Sequence, residues 1–183
     1  PVYLFHEGSN ARAYEFLGAH RTGKNAVTFR VWAPHAESVS VVGDFNGWDI
    51  DANVMNPQGS SGVWHCFIKG VHELQCYKYY IKAKDGSAFY KADPYAFFAQ
   101  VRPETASVTY DINGFKWSDE KWIGERRNTA PYDKPMLIYE MHLGSWKRHE
   151  DGSFYTYRET ADELVDYLCE MNYTHVELMP VTE

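Results

Sequence analysis

The chain is poor in the residues that build covalent or metal-held frameworks. Only three of its 183 residues are cysteine, Cys66, Cys76 and Cys169, an odd number without a CxxC pair, which speaks against a disulfide scaffold. Reduced thiols are the simplest reading, although Cys66 and Cys76 could face each other across a hairpin. The eight histidines include no HExxH or other compact ligand spacing, so a metal site is disfavoured. The glycines form no GxGxxG or P-loop pattern, and no cofactor is indicated. A clustered basic face is missing as well. The formal charge of -7 argues against a phosphate-backbone binder, and nucleic acid is not an expected partner. No uninterrupted apolar run approaches the roughly 18 to 20 residues of a membrane span, and residues 1–10 lack the basic-then-apolar order of a secretory leader. A cytoplasmic protein without a membrane partner is the expectation.

What the chain has in excess is aromatic side chains, at 16% of residues. They favour a β-rich fold, and stacking on sugar faces is one functional use of such rings beside the commoner one of packing. Hydrophobic content of 44% with 23% charged residues is that of a globular chain.

From residue 27 to 112 the periodicity is two. Val27, Phe29 and Val31 alternate with Thr28, Arg30 and Trp32. Val63, His65 and Phe67 alternate with Trp64, Cys66 and Ile68, and Tyr77, Tyr79 and Ile81 with Lys78, Tyr80 and Lys82. Polar turns at 44–47, 59–62 and Asp85-Gly86 punctuate these strands, the last reading as a two-residue hairpin. With 39–42 and 107–111 added, the pattern predicts an antiparallel, immunoglobulin-like β-sandwich over 21–112 behind a lead-in segment at 1–20. Trp64 and Trp32 read as core.

Residues 113–134 turn polar and read as a linker, with Trp117, Trp122, Pro131 and Pro135 bracketing its charged runs and its aromatics expected to dock on a neighbour. Residues 135–183 then change character. Residues 136–141 are nearly continuously apolar, as a strand of a parallel sheet should be. Thr156 three residues before Glu159 is a capping-box signature, followed by Ala161, Leu164, Val165, Leu168 and Met171 at helical spacing, with Asn172 as a left-handed stop. Residues 174–181 complete a strand-helix-strand unit. Such a unit is covered on both faces only when further strands and helices continue the sheet, so the chain reads as ending in mid-fold.

Eight motifs stand in order: Phe5-His6-Glu7-Gly8, Tyr14-Glu15-Phe16-Leu17-Gly18-Ala19-His20, Val31-Trp32-Ala33-Pro34, Val42-Gly43-Asp44-Phe45-Asn46-Gly47-Trp48-Asp49, Tyr77-Lys78-Tyr79, Asp93-Pro94-Tyr95-Ala96, Arg102-Pro103-Glu104-Thr105-Ala106-Ser107 and Ile138-Tyr139-Glu140-Met141-His142-Leu143-Gly144-Ser145-Trp146. Together they resemble bacterial-type 1,4-α-glucan branching enzymes over almost the whole chain. The resemblance implies a glycogen-binding-type sandwich module followed by the first strand, helix and second strand of a (β/α)8 barrel of the retaining glycoside hydrolase kind. It also implies transfer of an α-1,4-glucan chain to a 6-hydroxyl, a glycogen-like partner, and catalytic carboxylates from later strands. No catalytic residue falls within this chain, the missing remainder of the polypeptide is its expected partner, and the 183 residues alone are expected to be inactive. A debranching or trehalose-releasing relative shares the same arrangement, and a stand-alone glycan-binding or scaffold protein is the rival of a different class.

Two residues are candidates for carbohydrate contact. Trp48 follows a polar turn, where an exposed ring could cover the apolar face of a glucose unit. Lys78 alternates with Tyr77 and Tyr79 and could donate to sugar hydroxyls. The modules that the chain resembles carry a second aromatic just after the Asp-Gly turn. Here Ser87 and Ala88 follow, with Phe89 and Tyr90 one or two positions late, so that ring is not carried over. Glu140, Glu177 and Glu183 read as ordinary carboxylates, and His142 as ordering the loop after the first strand of the second region.

Overall fold

The computed structural model describes residues 1–130 and 132–181; Pro131 and Glu183, both weighed above, lie outside the described residues with Thr182. The chain divides into two compact units, Pro1–Lys116 and Trp117–Glu183.

The first unit is built from two antiparallel sheets. One runs in the order β1 (Gly18–Gly23), β2 (Ala26–Trp32), β5 (Val63–Lys69), β4 (Asn56–Pro57). The other runs β3 (Ala36–Gly43), β6 (Cys76–Ala83), β9 (Ser107–Val108), β8 (Phe98–Ala99), with β7 (Ala88–Lys91) also on β6. The alternation predicted from sequence decides what each sheet buries. Val27, Phe29, Val31, Cys66 and Ile68 from the first sheet and Val39, Val41, Tyr77 and Tyr79 from the second form one buried cluster with Met55 and Val71. A shared core between two sheets is a β-sandwich.

Several expectations need correction. Trp32 is not core: it is 47% exposed, because Val31 takes the inward position at the end of β2 and its neighbour must point out. A short helix, α1 (Val2–His6), meets it there, with the Phe5 and His6 rings edge-on at 5.6 and 6.5 Å. Trp64 is half-buried against the core, its Nε1 donating to the Ala33 carbonyl at 3.0 Å. Cys66 and Cys76 are free thiols on strands of different sheets, aligned with Phe29 and Val108 respectively, so they do not face each other. Asp85-Gly86 does turn the chain, but through a wider connection: Ala83 N reaches the Ser87 carbonyl at 2.8 Å while Asp85 Oδ1 accepts from Ser87 N at 2.9 Å and Gly86 adopts φ +86°. Strand β1 has no counterpart in the sequence reading, since Gly18-Ala19-His20-Arg21 shows no apolar alternation.

The second unit carries α2 (Glu120–Arg127) inside the stretch read as linker. Trp122, expected to dock on a neighbour, is exposed and has the Arg126 guanidinium of its own helix 5.2 Å over its ring. Strands β10 (Ile138–Met141) and β11 (His175–Leu178) pair in parallel, joined through α3 (Leu143–Trp146) and α4 (Tyr157–Glu170). The capping box is made in both directions: Thr156 N donates to Glu159 Oε2 at 2.8 Å, and Glu159 N to Thr156 Oγ1 at 3.3 Å. Asn172, at φ +59°, stops the helix in the left-handed conformation. Tyr139 on β10 packs against Tyr167 and Tyr173, with ring centroids 5.4 and 5.0 Å away, and accepts from Trp146 Nε1 at 3.2 Å. No helix among the described residues is long and apolar enough to cross a membrane.

Candidate functional site

The stretch from Gly43 to Trp48 is folded by its own side chains. Gly43 lies so close to β6 that a Cβ on it would stand 2.4 Å from the Cys76 carbonyl oxygen, an approach open only to glycine. Asn46 closes the 3-10 turn Asp44–Asn46. Its Oδ1 accepts from Gly43 N at 2.9 Å, and its Nδ2 donates to the Val41 carbonyl and to Asn53 Oδ1 at 2.9 and 2.7 Å. Phe45 sends its ring to the core beside Phe29, 5.7 Å away. Gly47 and Trp48 then take consecutive left-handed conformations, φ +64° and +62°.

A bulky non-glycine residue rarely adopts such a backbone, which costs on the order of 1–3 kcal/mol and persists only where surrounding contacts enforce it. Here Trp48 N donates to the Gly43 carbonyl at 3.0 Å, and Trp48 Nε1 to Asp44 Oδ1 at 3.1 Å. Asp44 Oδ2 in turn accepts from Cys76 N at 2.7 Å. The ring, 38% exposed, is therefore tethered at both ends and held beside the start of β6.

Lys78 lies two residues along β6 from Cys76, on the same side of the strand by alternation. It is not a freely solvated lysine: Nζ donates to Thr105 Oγ1 at 2.7 Å, which fixes the ammonium against the loop before β9. Tyr80 continues this side. Directly opposite it in the antiparallel register stands Tyr90, with ring centroids 5.1 Å apart and planes at 54°. Residues opposite one another in an antiparallel pair share a face, so Tyr90, 54% exposed, joins the face of Lys78 and Tyr80. The sequence reading missed this ring because it counted forward from the turn. Counting strand register back from Tyr79 and Lys91 would have found it.

Beneath the face lies a buried carboxylate. Asp93 Oδ2 accepts from the Tyr77 and Tyr79 hydroxyls at 2.7 and 3.1 Å, Oδ1 accepts from Tyr95 N at 2.8 Å, and Asp93 N donates to Ser107 Oγ at 2.8 Å. Burial pushes the Asp93 carboxyl above its ordinary range, against the opposing pull of the two tyrosine hydrogen bonds. Burial, with Asp93 alongside, also raises both phenols, so these tyrosines stay neutral donors. The network pins the chain three residues after Tyr90 and so fixes where β7 presents that ring. Nearby, burial and the Asp44 charge raise the Cys76 thiol.

In the second unit, Glu140 and Glu177 are exposed and aligned on adjacent parallel strands. His142, expected to order a loop, instead stands at the start of α3: its carbonyl accepts from Ser145 N and Trp146 N at 3.2 and 3.1 Å, and its Nδ1 meets Ser145 Oγ at 3.1 Å. Lys147 pairs with Glu163, which holds that carboxyl below its ordinary range.

Residues 16–96 match the family model of carbohydrate-binding module 48, the isoamylase N-terminal domain. Over an alignment of 185 positions that takes in all of this chain, the sequence is 47% identical to the 1,4-alpha-glucan branching enzyme of Bacillus subtilis, of which it spans 30%. Over an alignment of 184 positions that takes in 99% of this chain, it is 50% identical to the branching enzyme of Halothermothrix orenii, spanning 29% of it. The chain thus spans about 30% of the length of the curated relatives it matches. Among solved structures, Klebsiella pneumoniae pullulanase in complex with maltotriose is similar over 94% of this chain and 18% of its own, at 25% identity and a TM-score of 0.64. A pullulanase from Bacillus acidopullulyticus covers 91% of this chain and 22% of its own, at 24% identity and a TM-score of 0.61.

Proposed function

We propose that the chain is the N-terminal part of a bacterial-type 1,4-alpha-glucan branching enzyme, to which it is 47–50% identical, and that its first unit is a glucan-binding, immunoglobulin-like module whose face is formed by Trp48, Lys78, Tyr80 and Tyr90. The observation that carries this reading is the Trp48 backbone. A left-handed tryptophan, tethered through Asp44, is held at a backbone cost with its ring partly exposed. A flat apolar ring tethered at the start of β6, with a fixed ammonium and two phenols further along β6 and β7, suits a pyranose, which offers an apolar face and hydroxyls at its rim.

The second unit is read as the first strand, helix and second strand of a (β/α)8 catalytic barrel in a longer, cytoplasmic polypeptide. The regions 1–20, 21–112, 113–134 and 135–183 then serve as lead-in, module, connection and barrel start, with the module's first strand, β1, beginning before the boundary at Gly18. Glycogen-like α-1,4-glucan is the substrate, and an α-1,6 branch the product. Neither Glu140 nor Glu177 is given a catalytic role, since the carboxylates of a retaining glycosidase face each other across a substrate and these two sit side by side on exposed strands. The branching reading stands ahead of the debranching one because identity to the branching enzymes is about twice that to the pullulanases.

Iodine staining of amylose tests the assignment. The 183-residue polypeptide should leave the blue absorbance unchanged, and a polypeptide extended to the length of the relatives should lower it with the appearance of α-1,6 linkages. Staining lost with the short chain alone would place catalysis within these residues and overturn the reading.

A further inference from the structure

A second feature of the first unit is unrelated to the Trp48 face. Where the two sheets meet at the end of β2, a groove of about 320 Å³ opens between Trp32, Pro34 and His35 on one side and Ile81, Phe89 and Lys91 on the other. Its volume lies at the low end of the ~300–1,000 Å³ range of small-molecule pockets. Two large rings border it in the open: Trp32 is 47% and Phe89 44% exposed. The Trp32 wall is held by a close backbone approach, since a Cβ on Gly62, itself at φ +74°, would stand 2.7 Å from the Pro34 side chain. The Gly62 carbonyl accepts from Ala33 N at 2.8 Å.

We propose that this groove is a second glucan-binding site, distinct from the Trp48 face and taking a short α-glucan segment between the Trp32 and Phe89 rings. The inference rests on the glucan-binding reading of the module. Three features fix the occupant's chemistry. The walls are apolar and aromatic, which suits the C–H faces of glucose. The lining itself is almost wholly apolar, and among the residues that border it His35 is exposed and Lys91 holds its ammonium 5.6 Å from the Phe89 centroid. No carboxylate lines the groove, so cationic ligands gain no partner, while the bordering Lys91 ammonium can donate to a hydroxyl at the rim. A protein partner fits poorly, because stable interfaces bury about 800 Å² per side and this groove is bordered by only nine residues. Phe89 also precedes Tyr90 on β7, and neighbouring residues of a strand point to opposite faces. One hairpin therefore presents a ring to each surface, so that a branched or folded glucan could be gripped from both sides.

The test uses protein carrying 5-fluorotryptophan at all six tryptophans, with the Trp32 and Trp48 resonances identified by Trp32→Phe and Trp48→Phe, titrated with maltohexaose by fluorine NMR. Both resonances should shift saturably, and Phe89→Ala should abolish the Trp32 shift while the Trp48 shift remains. Phe89 is exposed enough for its loss to leave the fold intact. A Trp48 shift without a Trp32 shift overturns the second site and leaves the Trp48 face standing. A Trp32 shift alone supports the groove and overturns that face, and shifts at neither overturn both. A Trp32 shift that survives Phe89→Ala, or that follows protein concentration without sugar, also overturns the proposal, the latter marking self-association.

Discussion

Asp44 binds two partners that sequence places far apart: Oδ1 takes the Trp48 indole N–H at 3.1 Å, and Oδ2 takes the Cys76 backbone N–H at 2.7 Å. One carboxylate thereby locks an exposed ring to the edge of a core strand. Asp44→Ala should weaken glycogen binding several-fold by freeing the ring, and should lower stability by about 1–2 kcal/mol through the unpaired Cys76 N–H. Affinity electrophoresis and thermal unfolding check the two effects. Lower stability with unchanged binding would make Asp44 a turn residue only.

Tyr90 supplies the second ring of the face. Tyr90→Ala should weaken glucan binding about threefold to tenfold, or ~0.6–1.4 kcal/mol, with little loss of stability because the side chain is half exposed. Tyr90→Trp should retain binding. Isothermal titration with maltoheptaose measures both, and an unaffected alanine variant would remove Tyr90 from the site.

How far sequence alone reaches is visible in these residues. Strands of the core were legible because burial enforces alternation: Val27, Phe29, Val31, Tyr77 and Tyr79 are inward for the reason their spacing suggests. The capping box and Asn172 were legible because they act within a few residues. The partnerships of the site were not. Asp44 with Cys76, Lys78 with Thr105 and Tyr80 with Tyr90 join residues 10 to 32 positions apart, and strand register, which no local pattern states, decides them. Trp32 misled for the opposite reason: a large apolar side chain suggests core, yet its parity on β2 sends it outward.

Asp93 makes stability depend on pH in a definite direction. Its folded-state pKa lies above the unfolded value, so the native chain holds this proton more tightly than the unfolded one. Its contribution is greatest below the ordinary carboxylate range and is lost as pH rises through the elevated folded value. Wild type minus Asp93→Asn, followed by urea midpoints from about pH 4 upward, should therefore fall as pH rises. A difference that grows with pH would contradict the buried-carboxylate account.

The three thiols should react in the order of their surroundings. Cys66 is buried, and burial pushes its thiol up to about 12, so almost no thiolate exists at pH 8 and no reagent reaches it. Cys169 is exposed, and Cys76 is half-buried beside Asp44 with a raised thiol. Ellman titration of native protein should show Cys169 first, Cys76 slowly and Cys66 only after denaturation, with maltoheptaose slowing Cys76 further. Rapid native modification of Cys66 would refute the packing described.

In the 183-residue chain, β11 is exposed along its whole length, whereas β2 carries buried residues through its middle. Amide exchange should be far faster in residues 175–178 than in 27–31. Equal protection in a monomer would mean that the second unit is covered in a way its solvent exposure does not show.

The most direct test of the central claim is affinity electrophoresis of the wild-type chain and Trp48→Ala in gels with and without glycogen. The account predicts retardation of the wild type and an affinity about tenfold lower for the variant, ~1.4 kcal/mol, with identical mobility in the sugar-free gel and an unchanged circular dichroism spectrum. Equal retardation of a folded Trp48→Ala protein would contradict it.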